Sequence, residues 1–156
     1  HTNWMPGGSI DTETFLKMAD FEQVVAVKWG GSSEGKYDDM SVFAHLFNVI
    51  DNSSSPVRCH KLGGRGYVQT ALQAYPPHDL RVWDLMEAGR YEEAQSLYES
   101  VDRPLGDFYR RISVRSGGQG RVIKGMAGMV KNIAIRDPDT ATTPGDVIRT
   151  IIIAEE

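Results

Sequence analysis

The first half of the chain alternates short apolar runs with amphipathic stretches. Asp11 or Thr12 begins a short helix that ends near Asp20, because an acidic residue and then apolar residues at helical spacing follow the capping position. The run Val24–Trp29 is apolar except for Lys28 and is bounded by glycines and serines, which is typical of a strand buried on both faces of a parallel sheet. The pattern then repeats, with helical stretches predicted over 38–46 and 56–62 and short strands over 47–50 and 67–70. This order predicts an α/β fold.

The second half of the chain has a helical pattern. Helices are predicted over 77–88, 91–101, 104–113 and 122–135, and Gly89 suits the C′ position after the first of them. A last segment, 146–154, fits either a helix or a strand. About three strands make a narrow sheet, so partner strands from elsewhere are expected. We divide the chain into residues 1–76, which carry the strands, and residues 77–156, which carry the helices.

Length and composition exclude several classes of protein. A chain of 156 residues is too short for a two-domain enzyme or for a complete (β/α)₈ barrel of roughly 250 residues. The net charge of −4 gives no reason to expect nucleic acid or an anionic membrane as a partner. Cys59 is the single cysteine, and no signal peptide or apolar span is present, so we expect a soluble cytoplasmic protein. The four histidines lack metal-ligand spacing, and we propose no metal site.

Lys28 is the residue with the clearest chemical potential. It follows four apolar residues and comes just before a Gly-Gly-Ser-Ser loop, so its amine is expected at the carboxyl end of a buried strand. Active sites of α/β folds lie at that end. Desolvation there lowers the pKa of a lysine, and the neutral amine can attack a carbonyl carbon to form a Schiff base. The alternative is a strand-terminal lysine that extends into solvent or pairs with a carboxylate.

Three further segments stand in a specific order around Lys28: Glu13-Thr14 before it, Leu62-Gly63-Gly64-Arg65-Gly66-Tyr67-Val68 after it, and Glu87-Ala88-Gly89-Arg90-Tyr91-Glu92-Glu93-Ala94 in the helical half. This arrangement resembles the dihydrodipicolinate synthase / N-acetylneuraminate lyase family of class I aldolases over nearly the whole chain. The resemblance implies the C-terminal half of a (β/α)₈ TIM barrel, with strands six to eight, followed by the last barrel helix and extra C-terminal helices. It implies a lyase or aldolase in which Lys28 forms a Schiff base with pyruvate or another 2-oxo acid, with no cofactor beyond that covalent bond. Family members are commonly homotetramers, so a homo-oligomer is expected.

The resemblance also suggests substrate-binding residues. Val68 matches an aliphatic residue that packs on the bound 2-oxo acid, and Gly66 lets the backbone approach it closely; both fit equally well as ordinary barrel-core residues. Asn52 lies where the loop after the seventh strand reaches the substrate, with an Asx turn as the alternative. Trp29 follows the lysine at a position where the family often has an acidic residue or tyrosine, and we expect it to contact the second substrate.

The sequence departs from the family at the positions expected to complete the site. In the family register the relay tyrosine falls immediately before His1, and the serine or threonine pair that binds the pyruvate carboxylate belongs to the second strand. We therefore expect the N-terminal half of the barrel as a partner segment. The loop Asn3–Gly8 lacks the arginine of the dihydrodipicolinate synthase branch and, with Trp29, favours a hydratase-aldolase with a less charged or aromatic second substrate. A sugar-acid dehydratase and a non-catalytic half-barrel interaction module are the alternatives.

Overall fold

The structure is a computed structural model, and it describes residues 10–31, 36–70, 72, 75–116, 120, 122 and 123. The chain forms two compact units, His1–Val68 and Gln69–Glu156. The first unit carries the strands and the second carries the long helices. The two units are described separately below.

The first unit is built on a small parallel sheet. Strands β1 (Ala26–Trp29), β2 (Asn48–Asp51) and β3 (Gly66–Tyr67) lie side by side in that order. The helical segments between and before them are α1 (Thr12–Met18), a 3₁₀ helix (Tyr37–Val42) and α2 (Pro56–Lys61). The sequence predicted this order of strands and helices, and Asp11 caps α1 by accepting a hydrogen bond from the Thr14 N–H at 2.7 Å.

One face of the sheet carries the core of this unit. Val27, Trp29 and Val49 are buried there because they occupy alternate positions on β1 and β2. Aromatic rings cover them: Phe15 from α1 stacks on Phe43 with ring centroids 4.7 Å apart, and Phe43 meets Trp29 edge to face at 5.2 Å. Offset and edge contacts of this kind fill the space between the sheet and its helices.

The other face of the sheet is open, which corrects one prediction. The strand containing Lys28 was expected to be buried on both faces, but Ala26 and Lys28 are exposed while Val27 and Trp29 are buried. An apolar run shows that a strand can be buried on both faces. Whether it is buried depends on which other elements pack against each face. On β1, the face that carries Ala26 and Lys28 is exposed in the part of the chain that the structure describes.

The turn between α2 and β3 explains one of the glycines in the Gly-Gly-x-Gly sequence. A Cβ added at Gly64 would lie 2.2 Å from Cys59 Sγ and 2.8 Å from the Cys59 carbonyl oxygen. The Gly64 N–H donates to that same carbonyl at 2.8 Å, so the backbone must pass this close to end α2. Gly64 is therefore required by the packing of the turn.

Among the described residues of the second unit, the helices α3 (Pro76–Glu87) and α4 (Tyr91–Ser116) pack against each other. Gly89 has a φ of 70° after the α3 C-cap, which confirms its predicted C′ position. The sequence predicted two helices around Pro104, but α4 runs through it. Apolar positions before and after the proline form one helical stripe, and burying that stripe outweighs the missing N–H. The buried members of the stripe are Ala94, Tyr98, Leu105, Phe108 and Ile112.

The helix predicted over 122–135 is described only at residues 122 and 123, which are helical. The segment 146–154, whose type the sequence left open, and the loop 3–8 lie outside the described residues. Within the part of the chain that the structure describes, no helix has the length and apolar character needed to cross a membrane. The same part holds no group of three or more histidine, cysteine or acidic side chains placed to bind a metal ion.

Candidate active site at the carboxyl edge of the sheet

The parallel register places Lys28 in a row with residues of both neighbouring strands. Lys28 pairs with Ile50 of β2, and Ile50 pairs with Gly66 of β3. Paired positions in neighbouring parallel strands present their side chains to the same face of a sheet. Lys28 is the next-to-last residue of β1, so this row lies close to the carboxyl edge of the sheet.

Asn52 and Val68 lie two positions beyond that row on the same face. Backbone bonds extend the ladder to both of them, because the Asn52 N–H donates to the Trp29 carbonyl at 2.7 Å and the Val68 N–H donates to the Asp51 carbonyl at 2.9 Å. Val68 is 44% exposed, and Asn52 is half-buried. The backbone thus places Lys28, Asn52 and Val68 near one edge of the sheet, and a common site formed by them stays a prediction.

Gly66 lies on this face of the sheet, and its backbone conformation does not require glycine. Its φ is not positive, and a Cβ added there would meet only ordinary contacts, 3.8 Å from Ile50 Cγ1. The fold would accept alanine at this position, in contrast to Gly64. The missing side chain therefore leaves open space beside Ile50, in the same row of paired residues as Lys28.

Lys28 differs from its expected environment. The prediction placed its amine among desolvating walls, but the residue is exposed. The sheet places Lys28 at its carboxyl edge, and the residue is exposed in the part of the chain that the structure describes. Desolvating this amine would need a further layer of protein over this face of the sheet.

Trp29 does not fit its expected role as a substrate contact. Its side chain is fully buried on the face opposite to Lys28, because successive strand residues point to opposite faces. The indole N–H donates to the Tyr37 carbonyl oxygen at 2.9 Å, and the ring contacts Phe15 and Phe43. Trp29 is a core residue of the first unit.

A buried polar pair behind the sheet was missed from the sequence. Asp51, the last residue of β2, is fully buried and accepts a hydrogen bond from the Tyr37 hydroxyl at 2.6 Å. The same carboxylate accepts from the Ser53 N–H, the Ser53 hydroxyl and the Ser55 N–H at 3.1, 2.8 and 2.8 Å. The available signal was an aspartate at the end of an apolar strand, followed by serines at the second and fourth positions after it.

The protonation of this cluster follows from its burial. Desolvation and the hydrogen bond to Asp51 raise the pKa of Tyr37 far above its usual value, so the hydroxyl stays a donor. Desolvation raises the pKa of the Cys59 thiol to about 11, with the Asp51 charge acting in the same direction. Cys59 is therefore a neutral, buried thiol, which is unlike a catalytic nucleophile.

The chain is similar to a solved structure. The chain superimposes on a protein from Coccidioides immitis, described as a member of the dihydrodipicolinate synthase family, with a TM-score of 0.65 and 16% sequence identity. The match covers 97% of this chain and 51% of that protein, so this chain spans about half of its length. At this identity the likeness shows the fold alone. No protein-family model and no curated protein matches the sequence.

Proposed function

We propose that this chain supplies the Schiff-base lysine of a class I lyase or aldolase that acts on pyruvate or a related 2-oxo acid. The observation that carries the proposal is the position of Lys28 at the carboxyl edge of a parallel sheet, in register with Ile50 and Gly66. The fold likeness to a dihydrodipicolinate synthase family protein supports the same reading. The carboxyl edge of a parallel sheet is where α/β enzymes carry their catalytic residues.

The proposed reaction begins with a neutral Lys28 amine. The nitrogen lone pair forms a bond to the C2 carbonyl carbon, and the carbonyl oxygen leaves as water after taking up protons. The resulting iminium ion accepts the electron pair of the breaking C–C bond, or its enamine donates that pair when a C–C bond forms. No cofactor is needed, because the breaking C–C bond becomes the C=C bond of the enamine and the electrons of the C=N bond move to the positively charged iminium nitrogen.

The exposure of the sheet face that carries Lys28 is a reason to propose that a further protein segment completes the site. A deprotonated lysine at neutral pH requires desolvation, and Lys28 is exposed in this chain. We propose that the N-terminal half of a (β/α)₈ barrel covers this face and contributes the proton-relay and carboxylate-binding groups. The 51% coverage of the structural neighbour agrees with a half of that size.

The three substrate-side residues have separate proposed tasks. Val68 provides apolar contact with the 2-oxo acid, Gly66 provides room for it, and Asn52 offers amide hydrogen bonds at the rim. The buried position of Trp29 removes one of the two reasons for preferring a hydratase-aldolase. Aldolase and sugar-acid dehydratase reactions are therefore both candidates.

Borohydride trapping tests the proposal directly. The complete protein, meaning this chain together with the proposed N-terminal half of the barrel, is incubated with pyruvate and sodium borohydride. The modified peptide is then identified by mass spectrometry. We expect one reduced pyruvate adduct on Lys28, and no adduct on this peptide in Lys28→Ala. Lys17→Ala is the matched control, because Lys17 is an exposed lysine of the same unit that pairs with Glu13 and is expected to leave trapping unchanged.

Two results would contradict the proposal. An adduct that persists at full yield in Lys28→Ala would show that another amine reacts. A folded complete protein that forms no adduct with pyruvate or with other 2-oxo acids would favour a non-catalytic interaction module.

A further inference from the structure

We propose that the buried Tyr37–Asp51 pair is a positioning device that holds the segment 52–55, and with it Asn52, at the carboxyl edge beside Lys28. The inference rests on the proposed function, because it takes Asn52 as a substrate-side residue. Tyr37 and Asp51 act from behind the sheet, on the face opposite to Lys28, and neither touches the substrate.

The Asp51 carboxylate holds the segment through both of its oxygens. Oδ1 accepts from the Tyr37 hydroxyl and from the N–H and hydroxyl of Ser53, while Oδ2 accepts from the Ser55 N–H. Asp51 is fully buried, and a buried carboxylate is very unfavourable when it loses its donors. Any displacement of the segment 52–55 would remove donors from this charge, so the segment is held in one conformation.

Two further hydrogen bonds complete a link between the ends of β1 and β2. The Asn52 N–H donates to the Trp29 carbonyl at 2.7 Å, and the Trp29 indole donates to the Tyr37 carbonyl at 2.9 Å. The Tyr37 hydroxyl then donates to Asp51, which directly precedes Asn52. This closed circuit links the strand end that carries Lys28 to the strand end that carries Asn52.

Tyr37 is itself fixed by its surroundings. The residue is buried, and the Arg58 guanidinium lies 5.1 Å from the centre of its ring. Arg58 in turn donates to Asp38 at 2.7 Å. The position of the Tyr37 ring, and with it the hydroxyl that donates to Asp51, is therefore restricted by core packing and by the Arg58 guanidinium.

The first arm of the test measures the conformation of the segment without any substrate. Asp51→Asn keeps the shape of the side chain but replaces one acceptor oxygen with an amide NH₂. Hydrogen exchange at the Ser53 and Ser55 amides of the complete protein should become about tenfold faster in this variant, because each amide loses or shares its acceptor. The matched control is Asp20→Asn, an exposed aspartate of the same unit, for which exchange at these amides should be unchanged.

The second arm measures the substrate side. Trapping rates are recorded against pyruvate concentration, and Asp51→Asn is expected to raise the half-saturating concentration about tenfold with little change in the maximal rate. Tyr37→Phe, which removes one of the four donors, should give a smaller change of the same kind. A double variant with Asn52→Ala should be no weaker than Asn52→Ala alone, because Asp51 acts through Asn52.

Each outcome decides the inference. Unchanged exchange at Ser53 and Ser55 would overturn it, and so would faster exchange with an unchanged half-saturating concentration. Additive effects of Asp51→Asn and Asn52→Ala would also overturn it. Failure of the wild-type protein to form any adduct would refute the proposed function instead, and the exchange arm would still decide whether the pair holds the segment.

Discussion

Trp29 and Lys28 are neighbours in sequence whose side chains lie on opposite faces of the sheet, so their substitutions should have opposite consequences. Trp29→Phe removes the indole N–H that donates to the buried Tyr37 carbonyl at 2.9 Å. An unpaired buried acceptor costs about 1–3 kcal/mol, and the smaller ring leaves a void between Phe15 and Phe43 that costs roughly 1 kcal/mol more. We expect a loss of about 3 kcal/mol in the free energy of unfolding.

Urea denaturation of this chain, followed by far-UV circular dichroism, measures that loss. With a denaturant dependence of about 1–3 kcal/mol per molar, the midpoint should fall by roughly 1–3 M. Lys28→Ala should change the free energy of unfolding of the same chain by less than about 0.5 kcal/mol, because Lys28 is exposed. The same Lys28 substitution should abolish adduct formation in the complete protein.

The assignment of the two faces would be refuted by one pattern in particular. If Trp29→Phe leaves the unfolding midpoint unchanged, then Trp29 is not a buried core residue, whatever the effect of the substitution on pyruvate binding. Its burial against Phe15 and Phe43 would then be wrong, and the sheet would need a different register.

Four shorter predictions follow from individual contacts. Gly64→Ala should destabilise the chain by about 2 kcal/mol in urea unfolding, because its Cβ would overlap Cys59 Sγ at 2.2 Å. Gly66→Ala, whose Cβ would meet Ile50 at 3.8 Å, should leave stability unchanged but weaken pyruvate trapping. The Cys59 thiol, with its pKa raised to about 11 by burial, should resist iodoacetamide at neutral pH until the chain is unfolded. The Asp79 carboxylate, whose Oδ2 lies 3.6 Å from His78 Nδ1, raises the pKa of His78 above its usual 6.5. The added stability should therefore be complete below about pH 6.5 and lost as pH rises through the raised pKa. Asp79→Asn should flatten this pH dependence between about pH 5 and 8.

Local features were predictable because their causes are local. The start of α1 and the Gly89 position after α3 each depend on a few adjacent residues. The sequence left Asp11 and Thr12 as alternatives for the cap of α1, and the structure has Asp11 there, while the predicted position of Gly89 is confirmed. The position of Lys28 near the end of a strand also follows from the apolar run and the glycines that bound it. The break expected at Pro104 was wrong, because the apolar stripe of α4 continues on both sides of the proline.

The sequence by itself determined which residues share a face of the sheet. Lys28 and Trp29 had to lie on opposite faces, since strand side chains alternate with a period of two. Only the tertiary structure decided which face is covered, because that depends on where α1 and the segments after β1 and β2 pack. The same reason explains why Asp51 was missed: its donors come from Tyr37, fourteen positions away, and from the turn after β2, and only folding brings them to one carboxylate.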